Sequence, residues 1–251
     1  MTTDDAELQE QAAVAEVLKR DPLRRRAAQR LWRAETVYAV ALAAFAVLAL
    51  FAYFNAYFEW DLSFERGLQS LNARGLSELM RAVSVPGNGL IPWALTIITA
   101  LGFYAFNLRS EAAGLILSAG GGSLLNILLK TLIGRPRPTA ELVTIYRSLR
   151  TESFPSGHVT FYVCFFGFLF FVAFALLPRG SFARRAMIVL TTLPVALIGL
   201  SRIYLGAHWP SDTLGAYLLS GLWLALSLHL YRGWKLRATF HPSLQAEHKE
   251  E

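Results

Sequence analysis

Six apolar runs free of Asp, Glu, Lys and Arg set the terms for this chain: Thr36–Phe58, Ala82–Leu108, Ala112–Leu129, Ser153–Pro178, Ala186–Ser201 and Thr213–Tyr231. A helix needs about 20 mostly apolar residues to cross the hydrocarbon core of a bilayer. A backbone immersed in lipid must also satisfy its own hydrogen bonds, which leaves helices or closed barrels as the spanning structures. None of the runs shows the two-residue alternation of a barrel strand. The expectation is therefore an all-α, polytopic membrane bundle of six transmembrane helices. The fifth run is short, but the chain stays largely apolar through Tyr204 and Leu205. Only 17% of residues are charged and 54% are hydrophobic, against about 25% charged in an ordinary soluble domain. That balance excludes a soluble globule and a disordered scaffold. A single cysteine, Cys164, rules out an intrachain disulfide and reads as a small core residue.

Six spans place both termini on one side. If that side is cytoplasmic, the inner segments carry fifteen basic residues and the outer segments nine, which favours this orientation. The formal charge of +6 is then a membrane-topology signal rather than a nucleic-acid footprint, and no nucleic-acid partner is expected. A largely polar segment of more than thirty residues precedes the first run, so it reads as a retained span and not a cleaved leader. The organisation expected is a basic cytoplasmic segment over 1–35, a six-helix membrane domain over 36–233 and a cytoplasmic tail over 234–251. Arg24, Arg25, Arg26, Arg30 and Arg33 suit either a solvated positive-inside signal or an amphipathic helix on anionic lipid. The mixed stretch Trp60–Leu79 is a candidate to lie along the outer interface.

Span parity gathers the polar residues of the apolar half. Lys130 ends the third span, Pro155-Ser156-Gly157-His158 opens the fourth, Ser201-Arg202 ends the fifth and Asp212 lies at the start of the sixth. With Arg137 and His208 in the intervening loops, all of them fall at one membrane face, predicted to be the outer one. The chemistry this suggests is phosphate handling. Lys130, Arg137 and Arg202 supply charge, and arginine adds paired donors for phosphoryl oxygens. Ser156 and Gly157 sit at a helix start, where exposed N–H groups and the helix dipole favour an anion. His208 and Asp212 are four apart, with Pro210 a natural first helical residue. The carboxylate can therefore reach back one turn and hold one imidazole nitrogen, leaving the other to attack. His158 is then the available proton donor for the leaving oxygen. A zinc reading on His158, His208 and Asp212 is opposed by three neighbouring cations, so neither metal nor other cofactor is expected.

These residues fall into three ordered motifs: Lys130, six residues, Arg137-Pro138; Pro155-Ser156-Gly157-His158; and Ser201-Arg202, five residues, His208, three residues, Asp212. In this the chain resembles the integral-membrane type-2 phosphatidate phosphatases, the lipid phosphate phosphatases. The resemblance implies metal-independent hydrolysis through a phosphohistidine. By that carry-over His208 attacks phosphorus, Asp212 orients it and His158 protonates the departing oxygen. Lys130, Arg137, Ser156, Gly157 and Arg202 hold the phosphoryl oxygens, with Ser201 in support. Soluble vanadium-dependent haloperoxidases share the motif trio, but six spans argue against that activity.

The implied substrate is a phosphorylated membrane lipid, phosphatidate-like or undecaprenyl diphosphate, in a bacterial-type plasma membrane. A lipid phosphate transferase using the same phosphohistidine and a non-catalytic lipid-binding protein are the rival readings. A transporter fits less well, because its polar residues should sit near mid-bilayer. Gly120-Gly121-Gly122 in the third span allows close helix packing or a bend, and Arg135, Arg147 and Arg150 read as solvated loop charge, with attraction of anionic headgroups the alternative. Oligomeric state is not written in the motifs.

Overall fold

The computed structural model describes residues 22–71, 73–149 and 151–240, with no side-chain description for 22–31, 34 and 238–240. Residues 1–21 of the basic segment, the tail from 241 and Arg150 lie outside the described residues. Among those described, every regular element is helical: α1 Pro22–Phe54, α2 Glu59–Gln69, α3 Leu76–Ser84, α4 Ile91–Ala105, α5 Arg109–Leu115, α6 Gly122–Ile133, α7 Gly157–Leu176, α8 Phe182–Tyr204 and α9 Pro210–Phe240. The chain divides into two compact units, residues 1–43 and 44–251. All contacts described below belong to the second.

Five helical stretches are long and apolar enough to cross a membrane: Glu35–Phe54, Arg109–Ile133, Gly157–Leu176, Phe182–Tyr204 and Pro210–Arg237. The second predicted span is not one straight helix. Leu76–Gly87 and Ile91–Ala105 meet at a 58° bend, and counted as one broken span they bring the candidates to six. Proline cannot continue the backbone ladder of a helix, and Pro86 sits in the single 3-10 turn Val85–Gly87 that closes α3. Gly89 then takes φ +56, and Pro92 lies in the first turn of α4. The short fifth run becomes the 23-residue α8, begun by Ser181, whose Oγ accepts the Arg184 N–H.

The third span runs from α5 through a π-helical stretch, Ile116–Gly121, into α6. Trp223 Nε1 donates to the carbonyls of Leu117 and Ser118 within it, at 3.2 and 3.1 Å. A Cβ on Gly121 would come within 2.5 Å of the Trp223 ring, and one on Gly122 within 2.6 Å of Cys164 Sγ, whereas Gly120 faces open space. The glycine run thus serves close helix packing at two of its three positions.

Helix α7 is central. Its Val159, Phe161, Tyr162, Val163, Phe165, Phe168 and Val172 anchor the main apolar core, joined by Leu115, Ile198, Ala216 and Tyr231 from neighbouring helices. Cys164 is fully buried there. The outer surfaces of α4, α6 and α8 expose Ile97, Ile98, Leu101, Leu124, Ile127, Leu128, Leu190 and Leu193. An apolar surface of this extent is costly in water and suits lipid tails.

Candidate active site

The polar residues predicted to converge do so at the ends of α6, α7, α8 and α9, around the loop Gly134–Pro155. Asp212 is completely buried in the first turn of α9, which begins at Pro210 as the spacing suggests. Its Oδ2 accepts the Trp209 N–H at 2.9 Å, capping the helix from within, and also the hydroxyl of Ser153. Its Oδ1 accepts from Arg135 Nη1 at 2.6 Å. Oδ2 stands 3.5 Å from His208 Nδ1.

His208, 2% exposed, has its other nitrogen toward Arg137, whose Nη1 donates to Nε2 at 3.1 Å. A guanidinium can only donate, so Nε2 carries the lone pair and the neutral ring holds its proton on Nδ1, facing Asp212. Burial, reinforced by Arg137, Lys130 and Arg202, pushes the His208 pKa well below the usual histidine range. The imidazole is therefore neutral at physiological pH. Arg137 itself is fixed by the carbonyls of Thr151 and Ala207 and by the Thr151 hydroxyl.

Arg202 donates through Nη1 to Ser84 Oγ at 2.9 Å. Ser84 is 2.8 Å from Ser201 Oγ, which donates to the Met80 carbonyl. This chain of bonds ties the end of α8 to α3, and it is the part that Ser201 takes. His158 Nε2 lies 3.0 Å from Asn88 Oδ1, and a Cβ on Gly87 would come within 2.3 Å of the His158 ring. The bend in the second span thus brings Ser84, Gly87 and Asn88 against the motif residues. Lys130 Nζ donates to the carbonyls of Glu152 and Ser153. Asn126 Nδ2 clasps the Pro155 carbonyl and Thr160 Oγ1 from α6. Ser156 occupies the N-cap position of α7, yet its hydroxyl makes no capping bond.

Arg135 is not the solvated loop charge expected. It is 1% exposed and bridges Asp61 and Asp212, because the turn after α6 directs it inward beneath α9. Asp61 and Glu65 of α2 are likewise buried, so that helix is anchored at the site and does not simply rest on an interface. Among the described residues no group of three His, Cys, Asp or Glu side chains is arranged to hold a metal ion.

A cavity of about 420 Å³ opens onto His158 and Arg202 and is rimmed by Arg81, Asn88, Tyr146 and Arg147. Residues 111–235 match the family described as the PAP2 superfamily. The chain belongs to the PAP2 superfamily of membrane lipid phosphatases. It is 27% identical to phosphatidylglycerophosphatase B of Bacillus subtilis (strain 168) over 70% of this chain and 85% of that one. A lipid A 1-phosphatase of Rhizobium etli is 31% identical over 49% of this chain and 56% of its own length. The fold matches the crystal structure of a transmembrane PAP2-type phosphatidylglycerolphosphate phosphatase from Bacillus subtilis, with a TM-score of 0.68, 24% identity, and coverage of 78% of this chain and 96% of that one. As a member of this family the protein is a phosphoric monoester hydrolase embedded in the membrane.

Proposed function

We propose that this lipid phosphatase removes the terminal phosphate of a membrane lipid through a phosphohistidine on His208, without a metal ion. The observation that carries the reading is the orientation of one ring. Nε2 of His208 presents its lone pair to Arg137, a cation of the first motif, 3.1 Å away, while Nδ1 faces the buried Asp212 carboxylate. The attacking atom and an anion-binding donor therefore converge on one point. Two further buried donors support anion binding there: Ser156 Oγ and Arg202 Nε are without a hydrogen-bond partner among the described residues. An unsatisfied buried donor costs about 1–3 kcal/mol, and phosphoryl oxygens offset that cost.

Nε2 attacks phosphorus as the bond to the lipid oxygen breaks. His158, whose Nε2–H is held by Asn88 Oδ1, acts as the imidazolium and gives its Nδ1 proton to that oxygen. The phosphoimidazole is cationic and the Asp212 charge stabilises it. Water then adds to phosphorus, His158 takes up a proton, the P–N bond breaks and inorganic phosphate leaves. Lys130, Arg137, Ser156, Gly157 and Arg202 stabilise the charge on the equatorial oxygens, the main catalytic task in phosphoryl transfer.

The cavity supports a headgroup larger than a bare phosphate. Arg81 and Arg147 at its rim favour a lipid bearing a second anionic group, such as a polyprenyl diphosphate or phosphatidylglycerophosphate, over phosphatidate. We place this site on the outer face of the membrane, with the termini inside, on the charge bias of the loops.

Phosphate release in detergent micelles containing EDTA, across phosphatidate, phosphatidylglycerophosphate and a polyprenyl diphosphate, tests the proposal. Release should persist in EDTA and fall at least about 10³-fold in His208→Ala. A base-stable, acid-labile phosphoenzyme should be trapped in the wild type alone. Activity abolished by EDTA and restored by a divalent ion would overturn it.

A further inference from the structure

Behind the histidine–aspartate pair lies a buried charge cluster that none of the three motifs contains in full. Arg135 donates through Nη1 to Asp212 Oδ1 at 2.6 Å and through Nη2 to Asp61 Oδ2 at 3.0 Å. Its Nε reaches the carbonyls of Asn55 and Ala56, and the guanidinium lies 4.9 Å from the Phe58 ring centre. Asp61 is satisfied in turn by the Ser211 N–H and hydroxyl at 2.8 and 2.6 Å, and by the Phe58 N–H. Ser211 also accepts from Arg135 at 2.7 Å. The side chains of Asp61, Arg135 and Asp212 are wholly shielded from solvent.

One guanidinium shared between two carboxylates leaves the cluster with a net charge of −1. Had Arg135 paired with Asp212 alone, the pair would be neutral and would do little for a developing imidazolium. Resting on the phosphohistidine reading, we infer that Asp61 and Arg135 are positioning residues that set the effective charge of Asp212, and through it the nucleophilicity of His208. Asp61 returns to Asp212 the negative charge that Arg135 withdraws, and Arg135 fixes the carboxylate's orientation. The motif residue is thereby tuned by α2, a helix outside the family match, which covers residues 111–235.

The charged groups facing His208 are Lys130 at the end of α6, Arg137 in the loop, His158 on α7, Arg202 on α8 and Asp212 on α9, with Arg135 and Asp61 behind Asp212 and Glu152 acting on Lys130 and Arg137. Glu65, one turn from Asp61, is pushed up to about 9 by burial and by the Asp212 and Asp61 charges. It is neutral at pH 7 and adds nothing to the balance.

The sign of the effect separates tuning from support. Asp61→Asn takes the cluster to neutrality, so the acid limb of the kcat/KM profile should move down in pH by about half a unit or more, with kcat about tenfold lower. KM should stay within about twofold. Arg135→Met takes the cluster to −2, and the limb should move up. Arg135→Lys keeps the charge and should leave the limb in place. The double variant D61N/R135M restores −1, so its limb should return toward wild type; if one single variant fails to purify, the direction in which the other moves the limb carries the test. Limbs that do not move, or that move in the same direction in both single variants, would overturn the inference. So would a double variant whose limb departs from wild type. Trapping the phosphoenzyme on wild type and on His208→Ala in the same preparations keeps the two claims apart. If wild type yields no phosphohistidine, the underlying reading fails; if it does and the limbs stay put, only the tuning fails.

Discussion

A glycine can matter for the volume it leaves empty, and Gly87 is such a residue. Its Cα lies so close to His158 that a methyl group would fall 2.3 Å from the ring's Cδ2. The ring is held by Asn88 at Nε2, the atom next to Cδ2, so it cannot turn away without losing that bond. Gly87→Ala should therefore displace the proton donor. Misplacement of a reacting group by about 1 Å costs on the order of 100-fold, and kcat for a lipid with a poor leaving oxygen should fall by that order. A substrate whose leaving group needs no proton, such as a nitrophenyl phosphate, should lose far less. Equal losses on both substrates would assign Gly87 to packing alone. The convergence of the eight motif residues could be read from order and spacing, because His208 and Asp212 are four apart, Arg137 lies in the loop between two span ends and the other five lie at span ends. Ser84, Asn88, Ser153 and Asp61 could not. Asp61 meets Arg135 across 74 positions of sequence and Ser211 across 150, and no local pattern distinguishes it from any other acid in an amphipathic stretch.

Among the elements, the second span and α2 depart most from a reading by composition. Counting apolar residues finds the second span but not its bend, whose sequence cue is the Pro86-Gly87-Asn88-Gly89 run. Helix α2 reads as an interfacial segment from its alternation of charge and bulk. Its inward face instead buries Asp61 and Glu65, and the partners that make this tolerable for Asp61 (Arg135 and Ser211) come from elsewhere in the chain. Both Glu65 oxygens are buried and without a hydrogen-bond partner among the described residues, and the pKa is raised from 4.5 to about 9. Between those values the folded state holds a proton that the unfolded state has released, so stability falls as pH rises. Glu65→Gln removes that slope. In detergent the variant's Tm should lie near wild type at pH 5.5 and exceed it by a few degrees at pH 8.5. Parallel Tm curves for the two proteins would show that Glu65 is ionised in the fold.

At the scale of the whole molecule, the positive-inside rule and the position of the site must agree. The ends of α6 and α8 and the starts of α7 and α9 lie at one end of the bundle, and the hydrogen bonds among Arg137, His208, Asp212 and Ser153 require it. The loop that completes the site carries Arg135, Arg137 and Arg147, cations that ordinarily pull a loop to the cytoplasmic side. Arg135 is neutralised by two buried carboxylates and Arg137 is bound to protein carbonyls and to His208. With the site on the outer side, as proposed, these two cations serve the site, and discounting them strengthens the remaining bias. The protein's one cysteine is buried in α7, so a new thiol can be read without removing it. Ala140→Cys, at an exposed position of this loop, should react with a membrane-impermeant maleimide in intact cells. Labelling only after lysis would invert the topology. It would also require the lipid to be hydrolysed in the inner leaflet, although every contact within the site would be unchanged.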